Sequence, residues 1–171
     1  DGQCLGLAPD QCAGGLMNAH IFGWLDIIRL GLIQACLGAV VVVTTSTLNR
    51  IMVVELMLPA ILPGALVALH YLVQISRPRM GHGSDQGARR TPWIIGGMAV
   101  LALGALSAAF AVTLFASTPA LALGLSLIAY AAIGLGVGAS GTSLLALLAT
   151  TTAPERRAAA ATITWLMMIF G

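Results

Sequence analysis

The polar residues that could do chemistry in this chain lie mainly in a short stretch between two long apolar segments. Residues 77–90 hold four of the eight arginines and an aspartate, in the pattern Gly81-x-x-x-Asp85-x-x-x-Arg89-Arg90. A carboxylate there can accept hydrogen bonds from helix N-terminal amides or pair with an arginine, and charge-assisted bonds of this kind are strong. Because short basic loops resist translocation, the stretch is predicted to be a loop on the cytoplasmic side of a helical hairpin. A solvated turn with no further role is the alternative.

A second group of polar residues, Asn49, Arg50 and Glu55, follows the first apolar segment. Arg50 and Glu55 are five residues apart, so on a continuous helix their side chains would point about 140° away from each other. They could pair only if the chain turned at the membrane surface. A charge in or at a membrane is expected to be functional, and an ordinary interfacial anchor is the alternative.

His70 lies in the middle of the second apolar segment, with Tyr71 beside it and Gln74 one turn further on. A buried histidine commonly hydrogen-bonds a neighbouring helix, and a neutral imidazole can also serve as a metal ligand. No Ser-His-Asp grouping, phosphate-binding loop or metal-ligand spacing is visible in the sequence. The sequence therefore predicts that the chain has no metal site of its own and is not an enzyme.

The composition indicates a membrane protein. Hydrophobic residues make up 58% of the chain and charged residues 8%, whereas about a quarter of the residues in soluble domains are charged. A formal net charge of +2, spread along the chain, gives no basis for nucleic-acid binding. Membrane lipids are the partners that this composition predicts.

The apolar segments are long enough to cross a bilayer as helices, which predicts an all-α, polytopic transmembrane bundle of about five spans. The spans are expected from about Leu30 to Leu48, Leu58 to Ile75, Trp93 to Phe115, Leu121 to Leu148, and from Ala158 to Gly171. Residues 1–29 are predicted as a separate N-terminal segment, in which residues 16–29 either lie on the membrane as an interfacial helix or extend the first span. Residues 30–171 are predicted as one transmembrane domain, an incomplete lobe.

The distribution of charges predicts how the chain is oriented in the membrane, and the spacing of glycines predicts where its helices pack closely. Arginines fall before the first span, between the second and third, and between the fourth and fifth, so the N-terminus is predicted to be cytoplasmic. Gly134-x-x-x-Gly138 in the fourth span is a spacing that lets another helix approach closely. The last span is shorter than a bilayer core is thick, which indicates either the front part of a longer protein or a bundle completed by a partner. Whether Cys4 and Cys12 pair or stay free is left open.

Two known families show a resemblance to this sequence. The Gly81-to-Arg90 pattern is similar to the loop motif of the major facilitator superfamily, where it joins the second and third helices, although the usual glycine after the aspartate is displaced to Gly87. The run Leu48-Asn49-Arg50-Ile51-Met52-Val53-Val54-Glu55-Leu56 resembles the PucC-type family, the bacteriochlorophyll-delivery branch of that superfamily. The runs Arg89-Arg90-Thr91-Pro92-Trp93-Ile94 and Thr152-Ala153-Pro154-Glu155-Arg156-Arg157 fit the same family, and the resemblance extends over residues 29–171.

This resemblance implies a protein of the bacterial inner, photosynthetic membrane that delivers bacteriochlorophyll or assists the assembly of light-harvesting complexes. It implies bacteriochlorophyll as a ligand, held through its magnesium by His70, and antenna or reaction-centre subunits as partners. It makes Gly81, Asp85, Arg89 and Arg90 a conformational latch or docking surface, within a fold like the N-terminal part of a major facilitator lobe. The chain would be a truncated member of the family. Two alternatives stay open, a shortened relative that is a structural subunit of a reaction centre–light-harvesting complex, and a fragment of a general solute transporter.

Overall fold

The computed structural model describes residues 22–86 and 90–171, and in these ranges every regular element is a helix. The α-helices are α1 Trp24–Val42, α2 Leu48–Val54, α3 Ile61–Val73, α4 Arg77–Gln86, α5 Thr91–Leu114, α6 Pro119–Thr151 and α7 Arg157–Phe170. A π-helical turn, Val43–Thr47, joins α1 to α2, and 3-10 turns, Gln74–Ser76 and Pro154–Arg156, precede α4 and α7. The predicted all-α bundle is confirmed. Helices are the expected answer for apolar segments in lipid, because each satisfies its backbone polar groups internally.

Three helical stretches within the described ranges are long and apolar enough to cross a membrane, namely Trp24–Val54, Thr91–Leu114 and Pro119–Thr151. They coincide with the first, third and fourth predicted spans. The second and fifth predicted spans coincide with shorter helices, α3 and α7, and α3 continues through the 3-10 turn into α4. Only about a third of the residues in each long span are buried inside the protein, so most of their surface can face lipid.

The first long helix begins earlier and ends later than the sequence suggested. It runs without a break through residues 29 and 30, which is the second of the two arrangements considered for the N-terminal segment, and it reaches Val54. Arg50 therefore lies within the helix, where arginine is a good helix former. Residues 1–21, with Cys4, Cys12 and the first six residues of the predicted interfacial helix, lie outside the described residues.

The first ten of the fourteen residues of the predicted basic loop are helical, which corrects the expectation from the sequence. Residues 77–86 form α4, and Pro78 lies in its first turn, where the missing N–H costs no hydrogen bond. Packing against α6 offsets the low helix propensity of the glycines. A Cβ atom placed on Gly81 would lie 3.2 Å from Thr142 Cγ2, and one placed on Gly138 would lie 3.2 Å from Met80 Sδ. A local sequence pattern does not contain this stabilisation, because it comes from packing against a helix that is distant in the sequence.

Helix α6 is the centre of the bundle, and its small residues let the other helices come close. A Cβ atom placed on Gly136 would lie 2.6 Å from the backbone N of Leu101 and 2.7 Å from the carbonyl oxygen of Gly97, so α5 and α6 touch backbone to backbone. One placed on Gly134 would lie 2.6 Å from the carbonyl oxygen of His70 in α3. Small residues at such crossings are typical of helix packing in membranes. Helices α1 and α7 also pack extensively against each other.

Candidate functional site

A cleft of about 540 Å³ lies among five of the helices and contains His70 in its wall. We call it the His70 cleft. Its lining comes from α1 (Gln34, Leu37, Gly38, Val41 and Val42), from α3 to α4 (His70, Tyr71, Gln74 and Arg77), from α6 (Val137, Gly141, Thr142 and Leu145) and from α7 (Trp165, Met168 and Ile169). The lining is mostly apolar with a few convergent polar groups, which is the usual make-up of a small-molecule site.

Close packing places His70 at this cleft. The imidazole is fully buried, on the face of α3 that meets α6, and glycine at position 134 permits that approach. Its ring also meets the ring of Tyr71 edge-on, with centroids 5.0 Å apart. A buried polar ring of this kind needs hydrogen-bond partners, since a buried polar group without them destabilises the fold.

A relay of three side chains supplies one of these partners. The guanidinium of Arg77 donates a hydrogen bond to Gln74 Oε1, and Gln74 Nε2 lies 2.8 Å from His70 Nε2. The residues are spaced at helical intervals along the end of α3 and the start of α4, so one helix face carries all of them. The exposed Arg77 guanidinium at the end of the relay thus fixes the orientation of the half-buried Gln74 amide.

On α1, Gln34 is a further polar residue in the lining of the His70 cleft. Its side chain is 5% exposed, and Gln34 Nε2 donates to the thioether sulfur of Met168 over 3.1 Å. Gln34 Oε1 and His70 Nδ1 are both buried without a hydrogen-bond partner. Two incomplete polar groups therefore line the same apolar cleft from two different helices.

The predicted interfacial charges do not join this cleft. Arg50 lies in α2 and Glu55 caps its C-terminus, and both side chains are exposed, while Asn49 is half-buried. Among the described residues no ion pair joins Arg50 to Glu55. Because the helix stays continuous to Val54, the two side chains keep the angular separation that the spacing predicted.

At the end of the basic stretch, Arg90 contacts α6. Arg90 Nη1 donates to the carbonyl oxygen of Ala146 at 2.7 Å and to Thr150 Oγ1 at 2.6 Å, near the C-terminal end of α6. Gly81 packs on α6, and Asp85 belongs to α4. The side chain of Asp85 and the whole of Arg89 lie outside the described residues, so their predicted roles stay predictions.

Sequence reasoning missed Gln34 and Arg77 as members of the site. Gln34 could have been found as a lone amide in an otherwise apolar span, because polar side chains in such spans usually face other helices. Arg77 was counted with the basic loop. Its contact with Gln74 follows only once residues 74–86 are known to be helical.

Comparison with known proteins decides the family. A family model described as PUCC protein matches residues 47–171. The chain belongs to the PUCC protein family. The match contains the run from Leu48 to Leu56, His70 and Arg90, so most of the features discussed above lie within it.

The relatives that this chain matches are longer than the chain itself. It is 70% identical over 149 residues to the "Bacteriochlorophyll synthase 44.5 kDa chain" of Rhodobacter capsulatus, an alignment that covers 87% of this chain and 35% of the relative. It is 29% identical over 157 residues to "Protein PucC" of Rhodobacter capsulatus, covering 85% of this chain and 34% of the relative. It is 39% identical over 80 residues to "Protein PucC" of Cereibacter sphaeroides, covering 44% and 17%. The chain thus spans about a third or less of the length of these relatives. No solved structure matches it.

One prediction from the sequence is contradicted by these relatives. The absence of a visible catalytic set predicted that the chain is not an enzyme. The relative that is 70% identical is named as a chain of bacteriochlorophyll synthase, an enzyme. Motif searches find only the catalytic arrangements that have a known spacing, which explains the failure of that prediction.

The His70 cleft fits bacteriochlorophyll in its lining but not in the proposed magnesium ligation. Apolar walls from α1, α6 and α7 suit an apolar pigment. A metal ligand, however, must offer a free lone pair, and His70 Nε2 already faces the amide nitrogen of Gln74. In the hydrogen-bond arrangement of this structure, magnesium ligation through Nε2 is excluded.

Proposed function

We propose that this PUCC family member is a photosynthesis-related membrane protein that binds bacteriochlorophyll and passes it on. The observation that carries the proposal is the 70% identity, over 87% of the chain, to a relative named for bacteriochlorophyll synthesis. The His70 cleft supports it, because a mostly apolar cleft of about 540 Å³ beside two membrane-length helices, α1 and α6, suits an apolar ring system better than a soluble substrate.

In this proposal the cleft binds the pigment and the outer helix faces bind protein partners. The apolar side chains of α1, α6 and α7 exclude water, and the polar groups of Gln34 and His70 orient the bound molecule. Bacteriochlorophyll, when bound, supplies the light-absorbing ring. The exposed Arg50 and Glu55, together with the surface from Gly81 to Arg90, are proposed to dock antenna or reaction-centre subunits.

The test of this proposal is pigment occupancy in the intact protein. The protein is purified gently from phototrophic membranes, and its bacteriochlorophyll absorbance and bound antenna polypeptides are measured. His70→Leu is expected to lower the occupancy, whereas His82→Leu, on the exposed side of α4, is the matched control and should leave it unchanged. Wild-type protein with neither pigment absorbance nor antenna polypeptides would contradict the proposal.

A second candidate function is a part in making the pigment, which the name of the 70% identical relative favours. Pigment analysis of a deletion strain distinguishes the two. If the protein passes on finished pigment, the deletion strain should still make bacteriochlorophyll, but its light-harvesting complexes should lack the pigment. If the protein is a subunit of a synthetic enzyme, the deletion strain should accumulate a precursor instead of bacteriochlorophyll.

The remaining alternatives give different results in the same preparation. A structural subunit would remain in a stoichiometric reaction centre–antenna complex, and its loss would change the size of that complex with unchanged pigment synthesis. A fragment of a solute transporter would carry neither pigment nor antenna polypeptides.

A further inference from the structure

Two residues that line the His70 cleft each have a buried polar atom without a hydrogen-bond partner, which makes both atoms candidate contacts for a ligand. Gln34 Oε1 and His70 Nδ1 belong to residues that are 5% and 0% exposed. Leaving such atoms unpaired costs more than a normal hydrogen bond contributes. Because both line one cleft, a single bound molecule could complete both.

The hydrogen bonds of the relay determine which atom of His70 carries a proton. Arg77 has only N–H donors, so the atom of Gln74 that faces it must be the amide oxygen. The amide nitrogen of Gln74 then faces His70 Nε2 at 2.8 Å and donates to it. An imidazole buried among apolar groups is neutral, since burial disfavours its charged form. With Nε2 accepting, the single ring proton is on Nδ1.

A protonated Nδ1 is a hydrogen-bond donor and cannot be a metal ligand. We infer that His70 recognises the ligand of this cleft by donating a hydrogen bond from Nδ1 to a carbonyl oxygen, and that it does not ligate a metal ion. The ligand class is an apolar molecule that carries a carbonyl group. For bacteriochlorophyll, contact would be made through a carbonyl on the ring periphery, so in that form the inference rests on the proposed function.

Gln34 supplies the second polar contact. Its Oε1 accepts a hydrogen bond from an O–H or N–H group of the ligand or from a bridging water. Both unpaired atoms are buried and belong to residues that line the cleft, and the flexible thioether of Met168 contacts Gln34. Methionine side chains adapt their conformation easily, so Met168 can move aside as the ligand reaches Gln34.

The relay makes a direct test possible, because one substitution should move the proton. In the intact protein in lipid nanodiscs, nitrogen NMR of labelled histidine should show His70 protonated at Nδ1 and not at Nε2. Gln74→Glu keeps the size of the side chain and the contact with Arg77, but it presents an acceptor to Nε2. The proton should then move to Nε2. Wild-type protein protonated at Nε2 would overturn the inference.

Binding measurements separate the inference from the proposed function. Bacteriochlorophyll and its magnesium-free form should bind wild-type protein with affinities within about threefold of each other, since the metal makes no contact. A preference of about tenfold or more for the magnesium form would overturn the inference and leave the proposed function intact. Gln34→Met should weaken both forms alike.

If neither pigment form binds, the proposed function is wrong, and a simpler probe decides the inference. Decylubiquinone is apolar and carries carbonyl groups without a tetrapyrrole. Its addition should shift the Nδ1 resonance of His70 in wild-type protein and leave it unshifted in the Gln74→Glu variant. An unshifted Nδ1 resonance in wild-type protein would overturn the inference.

Discussion

At the scale of single residues, Tyr130 connects two distant parts of the bundle. Its ring is fully buried, and its hydroxyl donates to the carbonyl oxygen of Thr44 at 2.9 Å, within the π-helical turn. In that turn the backbone bonds are displaced, as in the contact from Leu48 N to Val43 O, five residues back. Thr44 also bonds its own hydroxyl to the Val40 carbonyl at 2.8 Å. The irregular turn is therefore stabilised partly by a hydrogen bond from another helix, α6.

Tyr130→Phe should lower the free energy of unfolding by about 1–2 kcal/mol, because the buried carbonyl of Thr44 loses a donor while packing stays the same. The measurement is unfolding by denaturing detergent, monitored by loss of helical circular dichroism. Tyr71→Phe is the matched control, since the Tyr71 side chain is largely exposed and should change stability little. Equal effects of the two substitutions would contradict the role given to Tyr130.

Arg90 also joins two parts of the bundle, because its hydrogen bonds link the start of α5 to the end of α6. A cation is favourable at the C-terminal end of a helix, where carbonyl oxygens lack partners. Arg90→Gln should cost about 1 kcal/mol and raise hydrogen exchange in the last turn of α6. Arg79→Gln removes the same charge from an exposed position and should leave that exchange unchanged. Equal exchange in both variants would mean that Arg90 does not hold the helix end.

At the scale of helices, glycine positions decide which pairs touch. Gly136→Ala should destabilise the protein by about 2 kcal/mol or more, because the new Cβ atom would fall 2.6 Å from the Leu101 backbone and overpack the crossing of α5 and α6. Gly124→Ala lies on the same helix, where no atom is within 4 Å of the added Cβ. It should be neutral or stabilise by up to about 1 kcal/mol through helix propensity. Detergent-unfolding curves of both variants check the difference, and similar losses would refute it.

Helices that are set by local composition were predictable, and those set by packing were not. The Thr91-Pro92 start of α5 was predicted, because proline in a first turn is a local signal. The glycines and charges of residues 77–86 form a local pattern that predicts a loop. Their helix depends on contacts with Gly138 and Thr142, which are more than fifty residues away. The local sequence therefore does not predict that these distant residues contact the helix.

The same limit applies to the candidate site. The sequence predicts His70 as a candidate because it is a histidine in an apolar segment, and the structure places it in the wall of a cleft. The partner across the cleft, Gln34, comes from another helix, and a single sequence without structure does not pair them. The relay through Gln74 required the helical register of two elements as well. Residue type thus predicts a candidate, whereas its chemistry depends on the neighbours that the fold brings.

At the scale of the whole molecule, one end of the bundle gathers most of the basic residues. Phe22 N donates to the Thr151 carbonyl at 3.1 Å, and Arg156 lies 5.5 Å from the ring centroid of Trp24. The contacts of Arg90 with the end of α6 belong to the same end. Because basic residues favour the cytoplasmic side, this end is predicted to be cytoplasmic, with Arg50 toward the opposite side.

Single-cysteine labelling tests this orientation. In a background without the three native cysteines, Arg79→Cys should react with a membrane-impermeant maleimide in inside-out vesicles and not in right-side-out ones, because Arg79 follows the return of the chain through α3. Ser117→Cys, in the turn between α5 and α6, should show the reverse, as should Met57→Cys after α2. All three positions are exposed in the bundle, so labelling depends on the side of the membrane and not on burial. Labelling of Arg79→Cys and Ser117→Cys from the same side would contradict a membrane-spanning α5, and a complete reversal of the pattern would contradict only the orientation.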